Sequence, residues 1–338
     1  MRKKVTIKDV SKELGLSPTT ISLVLNGKDN SIPEATKKRI MECVEKLNYY
    51  PDTIAQSLAT HRTNTIGLLI PDITNNFFTE YVHSVQLKLN SYGYDVILCI
   101  SEDKRDDDIK YINLLKNRRV DGLMLAMSAE SLLPTNLSKT KEILNGLEIP
   151  YIMIDRYIDD SSPYVGVDNE TSGYNVTKYL IEKGHKKIGV ITGPMYLSSS
   201  INRLKGFKRC LNEYNIEIPS CYIQHMKYDM KSGYLGAKKL LDKDITAIFA
   251  FNDLQAYGVI SYAKEQGIKI PEDLSLAGFD DLMYSSILDT KLTTVKQPIE
   301  QIAKESCEMM IRLINNIEGE TKVRLNTELI VRNSIKEV

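Results

Sequence analysis

The chain has 338 residues, 42% apolar and 26% charged, which is room for two or three domains and the composition of a globular protein. No apolar run reaches membrane-spanning length, which excludes an integral helical membrane protein. Lys plus Arg equals Asp plus Glu at 44 each, a balance that taken whole speaks against a nucleic-acid binder.

Divided at residue 62 the balance disappears. Residues 1–62 hold 11 Lys/Arg against 7 Asp/Glu, a net of +4, and the remainder carries −4. Charge polarised toward one end is what an electrostatic DNA-binding module needs. The basic N-terminus lacks the apolar core of a signal peptide, so a cytosolic protein is expected. Cys43, Cys99, Cys210, Cys221 and Cys307 contain no CxxC pair and are expected to be reduced thiols, with neither metal nor cofactor to bind.

In chain order, Thr6 with Asp9 predicts a capping-box start, followed by Ile7, Val10 and Leu14 on one helical face. Gly15 permits the reversal that ends this helix. Ser17 then caps a second helix with Pro18 at its first position, Ile21, Val24 and Leu25 inward, and Gly27 at its close. Pro18, Thr19, Thr20, Ser22, Leu23 and Asn26 are left outward. Two short capped helices joined by a tight Gly turn are either a plain helical hairpin or a helix-turn-helix, whose second helix enters the major groove. A third helix is expected from Ser31-Ile32-Pro33-Glu34 to about Leu47, with Ile40, Val44 and Leu47 on one face and Lys37, Lys38 and Arg39 either near phosphate or simply solvated.

Residues 51–64 read as a linker whose Ile54, Ala55, Leu58 and Ala59 form an apolar stripe only about two turns long, marginal as an isolated helix. Beyond it strands and helices alternate. Strands are expected at 65–70, 95–101, 122–127 and 150–155, with helices near 77–92 and 105–118. A second series has strands near 164–168, 187–192, 221–226, 245–251 and 274–279, with helices near 170–183, 200–214, 231–241 and 253–266. Such alternation means parallel sheets covered on both faces, here in two similar lobes.

The residues Thr6-Ile7-Lys8-Asp9-Val10, Ser17-Pro18-Thr19-Thr20-Ile21-Ser22, Leu47-Asn48-Tyr49-Tyr50-Pro51 and Ile66-Gly67-Leu68-Leu69-Ile70-Pro71-Asp72 resemble the lactose/galactose-repressor (LacI/GalR) family, and the resemblance covers nearly the whole chain. It implies an all-α helix-turn-helix headpiece (1–50), a hinge helix (51–63) and an α/β two-lobed, type I periplasmic-binding-protein-like sensor (64–338). The first lobe would take about 64–158 and 294–322, the second about 162–291 and 324–338, with crossings near 157–163, 291–294 and 322 and helix 298–317 returning to the first lobe. The implied hinge pairs with its dimer mate in the minor groove, where Leu58 matches the wedge that kinks the duplex; without the resemblance Leu58 would be read as packing on its own headpiece. The implied base-reading positions are Pro18, Thr19 and Leu23. The full candidate DNA-contacting set is Thr6, Ser17, Pro18, Thr19, Thr20, Ser22, Leu23, Asn26, Tyr49, Leu58 and Ala59.

Ligands of such sheets sit beyond the carboxyl ends of strands. Asp72, Asn75, Phe77, Phe78, Asp155, Arg156, Arg203, Tyr228, Asn252, Asp253 and Asp280 all fall there. Carboxylates, an amide and guanidinium groups around aromatic rings suit a polyhydroxylated ring, although each could singly be a cap or an ion pair. The resemblance places Phe77, Phe78, Asp155, Arg203, Tyr228, Asn252 and Asp280 in an effector pocket. The candidate set adds Asp72 and Arg156, and Asp253 is expected to cap the helix after it.

There is no GxGxxG after a strand, no Walker loop and no GxSxG elbow, and His61, His83, His185 and His225 lack metal spacing, so an enzyme is not expected. The expectation is a cytoplasmic, homodimeric, sugar- or sugar-phosphate-responsive repressor bound to double-stranded operator DNA. Alternatives are a purine- or nucleoside-responsive repressor and a cytosolic solute-binding protein. With the chain ending at Val338, a tetramerising helix is not expected.

Overall fold

The computed structural model describes residues 5–25, 29, 31–49, 62–159 and 161–338, and its contacts divide the chain into two compact units, 1–63 and 64–338. Asn26, Gly27, Leu58 and Ala59, and with them the hinge, lie outside the described residues.

In the first unit α1 (Ile7–Leu14), α2 (Pro18–Leu25) and α3 (Glu34–Lys46) surround a small core of Val10, Ile21, Val24, Ile40, Cys43 and Tyr49. Asp9 reaches back to accept from the Thr6 amide at 2.8 Å and the Thr6 hydroxyl at 2.7 Å, the expected capping box. Gly15 ends α1 at φ +64°, a conformation that costs glycine nothing. The Thr20 amide donates to the Ser17 hydroxyl at 3.0 Å, which fixes the start of α2.

The second unit contains two parallel sheets. The first has the order β11-β5-β4-β3-β1-β2, from β1 (Thr65–Ile70), β2 (Asp95–Ile100), β3 (Gly122–Leu125), β4 (Tyr151–Ile154), β5 (Tyr164–Val167) and β11 (Lys322–Leu325). Ile66, Leu68, Ile70, Met124, Ile152 and Val165 of its strands are buried against α4 (Asn76–Ser91) and α11 (Ile299–Ile314). Its other face packs on α5 (Arg105–Asn117) and on α6 (Leu137–Asn145), a helix the apolar periodicity did not reveal.

The second sheet runs β7-β6-β8-β9, from β6 (Ile188–Thr192), β7 (Ile223–His225), β8 (Ala247–Ala250) and β9 (Ser275–Ala277). The helix pairs α7 (Asn169–Glu182) with α8 (Ser198–Glu213), and α9 (Met230–Leu240) with α10 (Asp253–Glu265), cover it. A two-stranded antiparallel ribbon joins β10 (Thr294–Lys296) to β12 (Glu328–Ile330).

Three expected crossings move. Strand 164–167 does not open the second lobe: it pairs in parallel with β4 through Met153–Tyr164 and Ile154–Val165, and with β11, inside the first sheet. Parallel neighbours usually need a helical crossover, and the stretch 155–163 has none, which is why the sequence pattern read as a change of lobe there. The first crossing therefore follows Val167. The Gly278 and Asp280 amides donate to Thr293 and Val295 carbonyls, which holds β10 to the second lobe, so the second crossing falls at 297–298 rather than 291–294. The third lies between β11 and β12, at 326–327.

Candidate effector cleft and DNA-reading face

Seven strands, β1, β4, β6, β7, β8, β9 and β10, are followed by polar or aromatic groups that meet in the gap between the lobes. Asn75 accepts from the Phe77 amide at 3.1 Å and so starts α4, placing Phe77 and Phe78 in its first turn. Asp155 and Arg156 follow β4, Ser199 and Arg203 lie on α8 after β6, and Tyr228 follows β7. Asn252 follows β8, Asp280 follows β9 and Gln297 follows β10. These eleven residues line one cavity of about 30 Å³. It is continuous with an outer vestibule of about 370 Å³, which shares Asn75, Phe78, Arg156 and Tyr228 with it.

Arg203 organises the inner cavity. Its Nε donates to Asn169 Oδ1 at 2.8 Å, Nη1 donates to the Phe251 carbonyl, and the guanidinium lies 3.4 Å from the Phe279 ring centre. Arg156 is held by the Met127 carbonyl at 2.9 Å and by Asp103 at 3.1 Å, while its Nε is 3.8 Å from Asp155 Oδ2. Burial pushes the Asp155 carboxyl above the usual carboxylate range, opposed by Arg156 and Arg203. Burial drives Asp280 further up, against the pull of Arg203 and a 2.8 Å hydrogen bond donated by Gln297. Both aspartates have left-handed backbones, φ +61° at Asp155 and +117° at Asp280, and strain of this kind gathers at ligand sites.

Tyr228 donates to or accepts from Ser200 at 2.8 Å, and Gly193 makes room for it. A Cβ at Gly193 would lie 2.2 Å from the Tyr228 ring. Two groups couple the lobes beside the cavity. The Tyr157 amide donates to Ser198 at 3.1 Å, and Asn202 donates to the Tyr157 hydroxyl at 3.0 Å.

Of the nine residues expected in the pocket, eight line the inner cavity. Asp72 does not: it accepts from the Thr74 amide and hydroxyl, both at 2.7 Å, as a local turn, and borders the vestibule. The helix cap expected of Asp253 is made by Asn252, which accepts from the Gln255 amide at 3.0 Å. Asp253 is buried instead and accepts from the Leu282 amide, Ser285 and Thr294 at 2.8, 2.6 and 2.6 Å, tying the loop after β9 to β10. Ser199 and Gln297 were missed. Ser199 sits one turn before Arg203 on the same helix face, and Gln297 ends a strand that was not expected to exist.

On the headpiece, Thr6, Ser17, Pro18 and Thr19 are exposed, and Thr20 and Ser22 half-buried. Leu23 is 37% exposed, an apolar side chain left facing solvent on α2. Ser17 and Thr20 hydroxyls are 2.8 Å apart, engaged with each other at the cap. Tyr49 is only 8% exposed and belongs to the headpiece core, not to its surface. Lys37 pairs with Asp29 at 3.1 Å and Glu34 at 2.7 Å, which leaves Lys38 and Arg39 as the freer basic groups of α3. The described cysteines are all free thiols, four of them buried and Cys221 exposed. No helix among the described residues is long and apolar enough to cross a membrane.

Two family profiles match this chain: "Bacterial regulatory proteins, lacI family" at residues 6–52 and "Periplasmic binding proteins and sugar binding domain of LacI family" at 63–336. The chain is 34% identical to the HTH-type transcriptional repressor PurR of Aliivibrio salmonicida (strain LFI1238), over 98% of this chain and 99% of the relative. It is equally 34% identical to the repressor of the same name from Vibrio cholerae serotype O1 (strain M66-2), over 98% of each. Among solved structures it resembles the lac repressor dimer bound to operator and the anti-inducer ONPF, with a TM-score of 0.85 at 22% identity over 99% of this chain and 100% of that one, a likeness of fold. It also resembles a LacI family transcriptional regulator from Enterococcus faecium with bound ribose, with a TM-score of 0.69 at 30% identity over 81% of this chain and 99% of that one.

Proposed function

This chain belongs to the LacI family of bacterial regulatory proteins, and we propose that it acts in the cytoplasm as a homodimeric transcriptional repressor whose hold on a pseudo-palindromic operator is set by a carbohydrate bound between the sensor lobes. It is a regulator and not an enzyme.

Pro18, Thr19 and Leu23 read bases in the major groove, Thr6, Ser17, Thr20 and Ser22 flank them, and Asn26, Leu58 and Ala59 complete the DNA contacts by resemblance. Asp155, Arg156, Arg203, Tyr228, Asn252 and Asp280, with Phe77 and Phe78, hold the effector. Closure around it shifts the angle between lobes, and the shift reaches the hinge segments that must meet on DNA.

One observation carries the carbohydrate reading. Two carboxylates and two guanidinium groups, the buried Asp280, Arg156 and Arg203 and the part-buried Asp155, converge on one cavity beside aromatic rings. That set accepts from and donates to vicinal hydroxyls in a forked geometry.

A thermal-shift panel of monosaccharides, disaccharides, sugar phosphates, purine bases and nucleosides tests this. A shift with a carbohydrate that is lost in Asp280→Asn supports the assignment, and a shift with purines alone rejects it.

A further inference from the structure

Asp253 opens α10, but the cap of that helix is made by Asn252. The Asp253 side chain turns inward, fully buried, and takes its donors from outside the helix. The Leu282 amide and the Ser285 hydroxyl donate to Oδ2 at 2.8 and 2.6 Å, and the Thr294 hydroxyl donates to Oδ1 at 2.6 Å. Tyr257, one turn along the same helix face, holds Ser285 from behind with its hydroxyl at 2.8 Å. Gly278 leaves the carboxylate its space, since a Cβ there would lie 2.3 Å from Oδ1. Burying a carboxylate is costly, and an apolar side chain would close the same loop without that cost. The charge therefore serves something other than packing.

Its bonds fall on both sides of Asp280. The Asp253 amide donates to the Phe279 carbonyl at 2.7 Å while the carboxylate takes the Leu282 amide, so one residue grips both ends of the arc 279–282. Inside that arc Asp280 and Asp281 are both left-handed, at φ +117° and +57°. Residues other than glycine stay in such conformations only where their surroundings over-determine them. Across from the arc, Thr294 precedes Val295, whose carbonyl accepts from the Asp280 amide at 2.8 Å. Phe279, at the gripped end, carries the Arg203 guanidinium on its ring. Asp253 thus anchors the backbone that presents Asp280 and the Arg203 contact, although it does not itself line the inner cavity.

We propose that Asp253 is a positioning residue of the effector site, acting through Asp280 by clamping the arc 279–282 whose left-handed turn aims the Asp280 carboxylate into the cleft. This rests on the reading that Asp280 holds the effector, and it applies whatever the effector's class.

Isothermal titration of the full-length protein with D-ribose, D-glucose, cellobiose, adenine and adenosine finds which of the five wild type binds most tightly. That compound is then titrated into each variant in two buffers of different ionisation enthalpy. Asp253→Asn should weaken binding at least fivefold and cut the proton release on binding to less than half. Ser285→Ala and Thr294→Val each remove one bond to the carboxylate and should weaken binding at least threefold, while Thr294→Ser, which keeps the hydroxyl, stays within twofold of wild type. These three variants carry the test should Asp253→Asn fail to fold. A residue that only stabilises the fold leaves the affinity and proton release of the folded protein unchanged. A Kd within twofold of wild type in Asp253→Asn, or in both Ser285→Ala and Thr294→Val, overturns the proposal, as do equal losses in Thr294→Val and Thr294→Ser. Loss of binding in Asp280→Asn beside any of those results leaves the effector reading standing. Unchanged binding in Asp280→Asn as well, or no binding of any of the five compounds by wild type, overturns both.

Discussion

The guanidinium of Arg203 lies 3.4 Å from the centre of the Phe279 ring, one residue before Asp280. That contact joins a helix and a strand end of the second lobe to the two carboxylates whose charge it offsets. Arg203→Ala removes the cation, two hydrogen bonds and the stack together, leaving Asp155 and Asp280 buried without it. The loss should be about 1–3 kcal/mol of stability, the scale for leaving buried acceptors unpaired, together with the whole ligand-induced thermal shift. Denaturant titration with and without ligand reads both numbers. Arg203→Lys should recover part of the stability but not the ligand response, because a lysine cannot donate in a fixed fork.

Asp280 predicts a proton effect. Its carboxyl is held well above the usual range by burial, so the free protein keeps this proton to higher pH than an exposed aspartate would. A ligand hydroxyl that donates to the ionised form lowers that value and drives the proton off. Ligand affinity should therefore rise with pH, with net proton release on binding, and calorimetry in buffers of different ionisation enthalpy measures the release. In Asp280→Asn the pH dependence should flatten. Proton uptake on binding would mean that Asp280 does not face the ligand.

Asp253 gives a stability prediction of opposite sign to a surface salt bridge. Burial raises its carboxyl to about 6, against hydrogen bonds from Ser285, Thr294 and the Leu282 amide that favour the ionised form. An unfolded aspartate titrates at about 3.9. Between about pH 4 and 6 the folded chain thus keeps a proton that the unfolded chain has lost, and the group's contribution is full below pH 4 and declines as pH rises to 6. Urea midpoints across that window should fall from this term, and Asp253→Asn should remove the slope. A slope unaffected by the substitution would assign the pH dependence elsewhere.

Leu23 is 37% exposed on α2, and leucine offers only methyl groups to a base edge. The thymine C5-methyl is the apolar target in the major groove, so wild type should prefer or tolerate T·A there with discrimination below the ~1–3 kcal/mol of a bidentate pair. Leu23→Arg should move that one operator position toward G·C. Binding-site selection with both proteins checks this, and a strong guanine requirement in wild type would reject the assignment.

Much of this was legible in the residues because local chemistry fixes it. Thr6 with Asp9, Gly15, and Ser17 before Pro18 mark the headpiece hairpin through capping and backbone freedom alone. The strand-end rule located eight of the nine expected pocket residues in one cavity because parallel strands deliver their C-terminal ends to one side. What escaped depends on tertiary context. The β4–β5 connection lacks the helix that parallel pairing normally requires, so it read as a lobe change. Asn252 and Asp253 are both good caps by composition, and only packing decides that Asn252 caps while Asp253 turns inward to Thr294. Tyr49 resembles a surface aromatic in sequence and is a core residue because α3 folds it back against Val10 and Ile21.

The central claim is that a ligand at Arg203 and Asp280 controls the hold on DNA. The measurement is the operator affinity of the full-length protein, by fluorescence anisotropy at fixed salt on a site recovered by selection, with and without a carbohydrate that gives a thermal shift. The account predicts a change in operator Kd of fivefold or more, the lower end of allosteric coupling, that disappears in Arg203→Lys and Asp280→Asn. A carbohydrate that binds wild type and leaves its operator Kd unchanged within twofold would contradict it.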